Sequence, residues 1–259
     1  MYPVSPLVIT LLIVAGIVIL FLIGYINHMV ENNKLEKARQ KADLADRLRR
    51  CADVSDSLPG QFMTPGLKLL LTRFMLQFAE RLLAVDKSQA KVKDQVEELR
   101  GLVAQGDAIV VRNQPQLIHN EAKAKEVRVT LEILHGQITR AAQDNLLPSG
   151  EAKRWLEEVR HILVQVHIEL FSNAGQNAMQ QGQPGHARLA FERGVQYIRK
   201  QPDAKRYQTP LSVLEKQLAR ANSMVLENTK PVVDEANELT DGLKSLDGDE
   251  DWKKKNMYD

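Results

Sequence analysis

The chain has 259 residues, of which 44% are hydrophobic, 26% charged and 5% aromatic, a balance typical of a folded globular protein. Its 35 Lys and Arg residues are nearly matched by 33 Asp and Glu. A concentrated basic face and a platform of stacking aromatics are therefore not expected, and we predict no nucleic-acid partner.

An uncharged run, LVITLLIVAGIVILFLIGYI, covers the 20 residues 7–26. As a helix rising about 1.5 Å per residue, it would span roughly the 30 Å hydrocarbon core of a bilayer. A cleavable signal peptide fits less well, because residues 1–6 contain no Lys or Arg and the run exceeds the usual apolar length of such peptides. The sequence thus predicts a retained transmembrane helix. Its anchoring side chains include Leu7, Ile13, Ile19 and Ile26.

The cationic residues near this run predict its orientation. Seven Lys and Arg residues lie between Asn27 and Arg50, whereas residues 1–6 have none. Because such residues stay on the cytoplasmic side, we expect a bacterial inner-membrane protein with a short extracytoplasmic N-terminus and a cytoplasmic body. The single cysteine, Cys51, suits a reducing compartment and is interpreted as an ordinary helical residue.

Residues 27–57 are rich in Ala, Leu, Lys and Arg, which predicts a charged helical stalk continuing the transmembrane helix. One narrow apolar stripe runs along it. It is consistent with a solvated helix or with a short parallel coiled coil. Two Pro-Gly pairs then predict a linker or sharp turn over residues 58–66. The stripe consists of Leu35, Ala38, Ala42, Ala45 and Leu48.

A cytoplasmic helical domain is predicted over residues 67–246. Its most apolar part, residues 67–85, has one apolar face, which favours either a central core helix or an in-plane helix on the inner leaflet. Helical spacing resumes over residues 87–105. The short apolar stretch 108–111 is interpreted as a helix end followed by a loop.

Two further apolar seams predict long helices, from Val127 to Ala141 and from Trp155 to Leu170. They favour an antiparallel hairpin, or coiled-coil contacts that hold a homo-oligomer. Thr209-Pro210 and Pro231 mark two later helix starts. The predicted fold class is therefore all-α, with one N-terminal transmembrane helix followed by a bundle of long antiparallel helices.

Residues 168–201 resemble a single tetratricopeptide repeat, a helix-turn-helix of about 34 residues. The matching positions are Phe171, Ala174, Gly175, Ala178, Gly182, Ala187, Phe191 and Gly194. The family usually has a large aromatic residue where Ala178 stands, and Pro202 comes later than its closing proline. The resemblance implies a repeat-like hairpin within a non-repeat bundle, or a peptide-binding groove. The expected partner contacts on it are Phe171, Ala178, Phe191 and Tyr197.

The charged tail, residues 247–259, places an acidic run directly before Trp252. A calcium loop of the EF-hand type does not fit, because Trp252 and Tyr258 stand where that loop requires Gly and Glu. We interpret the tail as a solvated segment or as a docking motif anchored by Trp252 and Tyr258, since both residue types often anchor interfaces.

No catalytic motif occurs in the sequence, and no two histidines are spaced i, i+4. We therefore expect no metal, no cofactor and no enzymatic activity. The leading hypothesis is a membrane-anchored adaptor or scaffold that recruits a protein partner of unknown identity. The alternatives are a coiled-coil homo-oligomer that organises the membrane, and an enzyme or lipid-handling protein with an unrecognised site. Only residues 67–85 favour the last of these.

Overall fold

A computed structural model describes the backbone of residues 6–229 and the side chains of residues 20–227. This part of the chain is helical and contains no strand, which confirms the all-α prediction. The helix predicted from Pro231 and the charged tail lie outside the described residues. The α-helices are α1 (Pro6–Ser57), α2 (Pro65–Val85), α3 (Ala90–Ala104), α4 (Glu121–Gln143), α5 (Ser149–Gln180), α6 (Pro184–Arg199) and α7 (Gln208–Thr229).

The chain divides into two compact units, Met1–Leu170 and Phe171–Asp259. The boundary falls within α5, so the region predicted as one domain over residues 67–246 belongs to two units. We call them the first unit and the second unit and describe each separately.

Helix α1 is 52 residues long and runs without a break from the apolar run into the charged stalk. The two parts differ in burial. The large apolar side chains of residues 20–30 are 44–75% exposed, whereas Leu48, Cys51 and Val54 are buried in the core of the first unit. The last turns of the predicted stalk are therefore part of the folded body.

The core of the first unit is centred on α2, whose apolar face is buried. Pro65 opens this helix, and Thr64 caps it by accepting a hydrogen bond from the Leu67 backbone N–H at 3.2 Å. Because Phe74 and Phe78 are almost fully buried, α2 is a core helix. The alternative of an in-plane helix on the membrane surface is therefore wrong for this segment.

Residues 58–64 of the predicted linker form a turn whose Leu58, Phe62 and Met63 lie in the core, and Pro65 and Gly66 already belong to α2. An extended stretch that follows α3 lies against this turn. The Asn113 amide donates to the backbone carbonyl of Leu58 at 2.8 Å, and the Gly60 N–H donates to the Gln114 carbonyl at 3.0 Å. Asn113 also donates to the Ser55 carbonyl at 2.9 Å, so this stretch pairs carbonyls at the end of α1 and just beyond it.

The seams of α4 and α5 are also buried within the first unit. Val127, Leu131 and Leu134 on α4 join Val159 and Val166 on α5 in the same apolar cluster. These seams consequently pack inside their own chain. Helix α4 has 23 residues and α5 has 32, so the two helices that carry these seams differ in length.

Candidate functional site

In the second unit, two glycines allow the helices to approach closely. A Cβ atom at Gly175 would lie 2.3 Å from the ring of Phe191, and one at Gly194 would lie 3.0 Å from both Phe171 and Leu214. The contact between Gly175 and Phe191 joins α5 to α6. The contacts of Gly194 join α6 to Phe171 on α5 and to Leu214 on α7. The small residues and aromatics that carry the repeat resemblance thus pack against each other.

The four predicted partner contacts on this hairpin differ in accessibility. Phe191 is buried, whereas Phe171, Ala178 and Tyr197 are half-buried. The rings of Phe171 and Tyr197 lie 6.0 Å apart at their centroids. Burial raises the pKa of the Tyr197 hydroxyl, with a smaller contribution from Tyr207, so this phenol stays neutral. Three of the four side chains therefore reach the surface, and Phe191 is an interior residue.

An open cleft of about 300 Å³ lies between the end of α5 and α7, and we call it the α5–α7 cleft. Met179 lines it from α5, and Met224 lines it from α7. Gln217 also lines it, and its Oε1 atom is buried without a hydrogen-bond partner among the described residues. The exposed Arg220 adds a positive charge. The cleft therefore combines apolar contacts, one unused acceptor and one cation.

A second cleft, of about 420 Å³, lies between α6 and α7, and we call it the α6–α7 cleft. Arg188 and Gln196 contribute from α6, and Leu218 and Ala219 from α7. An ion pair crosses it, since Arg199 Nη2 lies 2.7 Å from Glu215 Oε1. Its lining is about equally polar and apolar, which suits a protein surface better than a small apolar ligand.

The second unit is basic over its described helices. Residues 171–229 contain eight Lys and Arg against four Asp and Glu, a net charge of +4. No local pattern predicts either cleft, because each cleft forms only where residues from separate helices meet. Met179, Gln217 and Arg220 were therefore missed as candidates.

The exposed stretch of α1 is a third candidate surface. Eight large apolar side chains lie within residues 20–30, at positions that cover all sides of the helix. Ile26 is one of them, whereas Leu7, Ile13 and Ile19 have side chains outside the described part. Within the described residues, the structure has no helix whose length and apolarity suffice to cross a membrane.

Cys51 is the single cysteine of the chain, and it lies in the core of the first unit. Its side chain has no exposed area, and burial raises the pKa of its thiol to about 12, with the nearby Arg47 opposing this shift. The thiol is therefore neutral and inaccessible in the folded chain. Among the described residues, no group of three His, Cys, Asp or Glu side chains is arranged to hold a metal ion.

Compared with known proteins, the chain matches no family model, no curated protein and no solved structure. The tetratricopeptide resemblance consequently stays a prediction. Trp252 and Tyr258, the two predicted tail contacts, lie outside the described residues.

Proposed function

We propose that this protein is a single-pass inner-membrane adaptor or scaffold, with its N-terminus outside and its helical body in the cytoplasm. The observation that carries the proposal is the continuity of α1. One helix begins in the uncharged run and ends in the core of the first unit. A rigid helix of this kind would hold the body at a fixed distance from the bilayer.

The exposed apolar stretch supports the anchor. Burying a large apolar side chain is favourable by about 1.5–3 kcal/mol, so eight exposed ones within residues 20–30 favour a nonaqueous environment. They lie on all sides of the helix, as lipid contact requires, and not on one face. Tyr25 stands near the end of the run, where aromatic residues mark membrane interfaces, and the Lys- and Arg-rich stretch follows it.

The second unit supports an adaptor role. Its two clefts are open. Arg side chains line both of them and Met side chains line the α5–α7 cleft, and both residue types are enriched at protein interfaces. The only cysteine is inert, and the described helices bring no nucleophile and base together in either cleft. We assign the partner to the α6–α7 cleft, whose larger volume and mixed lining suit a protein segment.

The proposal is tested by purifying the full chain from mildly solubilised membranes and identifying the proteins that accompany it. Ala219 is exposed and lines the α6–α7 cleft, so Ala219→Arg would fill the cleft without touching the core. Ala122→Arg, at an exposed position on α4, is the matched control. We expect Ala219→Arg to remove a specific partner that Ala122→Arg retains. Equal recovery with both variants, or no accompanying protein, would contradict the adaptor role.

A homo-oligomer is the second candidate function, and one surface favours it. Leu35, Ala38, Ala42 and Ala45 are exposed on α1, so this stripe is free to pair with a second copy. The seam predicted within residues 120–170 gives no such support, since the first unit buries it. Light scattering of the full chain in detergent would separate the candidates, because a monomer at high concentration would argue against the oligomer.

The lipid-handling alternative loses the only feature that favoured it. That hypothesis needed the apolar face of residues 67–85 on the surface, and the core of the first unit covers it.

A further inference from the structure

The α5–α7 cleft has three properties that together define what it can bind. Met179 and Met224 line it from two helices, and thioethers make favourable contacts with aromatic rings. Gln217 Oε1 is a buried acceptor that has no donor among the described residues. Arg220 supplies an exposed positive charge. A suitable occupant therefore carries an aromatic ring, one hydrogen-bond donor and adjacent negative charge.

An indole next to carboxylates meets these requirements. The indole ring has a large apolar surface and a single N–H that donates and cannot accept. The chain contains two tryptophans, and only Trp252 follows an acidic run, Asp249-Glu250-Asp251. Trp155 belongs to the first unit and is partly buried in its core.

We propose that residues 247–252 of the same chain occupy the α5–α7 cleft. The Trp252 ring lies between Met179 and Met224, and its N–H donates to Gln217 Oε1. The carboxylates that precede Trp252 face Arg220. The inference goes beyond the adaptor function and needs neither the membrane anchor nor the partner at the α6–α7 cleft.

The length of the connecting segment fits this arrangement. Gln217 lies twelve residues before the end of α7 at Thr229, which corresponds to roughly 18 Å along the helix axis. The helix predicted over residues 231–246 would span roughly 24 Å. Folding back along α7, such a helix would return the following residues to the level of Gln217.

The charges of the two parts are also complementary. Residues 171–229 carry a net charge of +4, whereas residues 230–259 contain nine acidic and five basic residues, a net charge of −4. Eight of the acidic residues precede Trp252, and three of the basic residues, Lys253–Lys255, follow it. Attraction between the two parts would favour docking within one chain, where the effective concentration is high. A protein that binds the α5–α7 cleft would first have to displace the tail.

The test uses the fluorescence of Trp252 in the full chain, solubilised in a nonionic detergent. Trp155→Phe leaves Trp252 as the only tryptophan. We expect blue-shifted emission and acrylamide quenching several-fold weaker than that of free N-acetyltryptophanamide in the same detergent. Arg220→Glu and Gln217→Leu should each raise the quenching towards the free value.

Arg193→Glu is the matched control, because Arg193 is exposed on α6 and lines neither cleft. It should leave the quenching unchanged. Burial of Trp252 in the detergent micelle would instead leave the quenching unchanged in Arg220→Glu and Gln217→Leu as well, and this outcome would overturn the proposal. Circular dichroism verifies that each variant is folded, and Gln217→Leu provides the test if Arg220→Glu unfolds. Quenching equal to the free value in the parent would overturn the proposal, as would equal effects of Arg220→Glu and Arg193→Glu. Protection that increases with protein concentration would overturn it too, since the tail of a second copy would then be the occupant.

Discussion

The two ends of helix α1 carry similar apolar side chains in opposite surroundings. Between residues 20 and 30 these side chains are exposed, whereas Leu48, Cys51 and Val54 are buried. The helix is continuous, so its backbone does not account for the difference. Helices α2 and α4 pack over the C-terminal end of α1, whereas no described residue covers residues 20–30. Apolar side chains thus form a core only where other helices pack over them. The apolar side chains of residues 20–30 have no such cover among the described residues, so they favour a nonaqueous environment outside the folded body.

The largest expected difference between the two ends concerns thiol reactivity. Cys51 is buried and its thiol pKa is raised to about 12, so alkylation requires opening of the core. At pH 8 we expect iodoacetamide to modify Cys51 more than about 1000-fold slower than an unfolded chain, given typical unfolding free energies. Leu35→Cys, in a Cys51→Ala background, should react at nearly the unfolded rate, because Leu35 is exposed. Mass spectrometry over time measures both rates, and equal rates would contradict the comparison.

The turn that closes the buried end gives the next largest effect. A Cβ atom at Gly60 would lie 2.2 Å from the Asn113 carbonyl oxygen, so Gly60→Ala must displace backbone. We expect a loss of about 3 kcal/mol in the free energy of unfolding. Gly136→Ala on α4, where no atom lies within 4 Å, should instead gain up to about 1 kcal/mol. Urea unfolding of the full chain in detergent measures both, and a neutral Gly60→Ala would show that the turn is not tightly packed.

A leucine-to-alanine change in the buried part of α1 and another in its exposed part compare the two parts by the same chemical change. Leu48→Ala should lower the free energy of unfolding by about 2–3 kcal/mol, because Leu48 is buried in the core cluster. Leu35→Ala should change it by less than about 0.5 kcal/mol, since Leu35 is exposed. Similar losses for both variants would mean that the exposed part of the stalk is packed in solution, as an oligomer would require.

The smallest effect concerns the ion pair that links α1 to the end of α4. Arg47 Nη1 lies 2.6 Å from Asp144 Oδ2, and the guanidinium is almost fully buried over the Phe78 ring. Asp144→Asn would leave this cation without its counter-charge. Because Asp144 itself is partly exposed, we expect a loss of only about 1–2 kcal/mol. Asp46→Asn, which breaks the exposed pair with Arg50, is the control and should leave the unfolding midpoint unchanged. An equal response of the two variants would contradict the burial of Arg47.

Local patterns in the sequence were sufficient to predict most helices. The apolar spacing of residues 67–85 gave the buried face of α2, and the spacing after Asn120 gave α4, which Asn120 caps. Gly175 and Gly194, two of the positions that carry the repeat resemblance, lie where helices approach closely. These features depend on residues that are close in sequence, so they can be predicted from the sequence alone.

The features that escaped prediction depend on distant partners. Asn113 closes the end of α1 by donating to carbonyls more than 50 positions away, and no local motif marks it. Likewise, the apolar stripe of the stalk was interpreted as one surface, although only Leu48 at its end is buried. Gln217 and Arg220 form a cleft only because α5 and α7 meet. Long-range packing of this kind has no periodic signature.

The central claim, that α1 anchors the protein in the inner membrane, is tested most directly by extracting bacterial membranes with alkaline carbonate. The full chain should stay in the membrane pellet. Ile13→Arg combined with Ile19→Arg should release it, because each arginine near the centre of a span costs about 2.5–3.5 kcal/mol. Recovery of the unchanged chain in the supernatant, or retention of the double variant in the pellet, would contradict the claim.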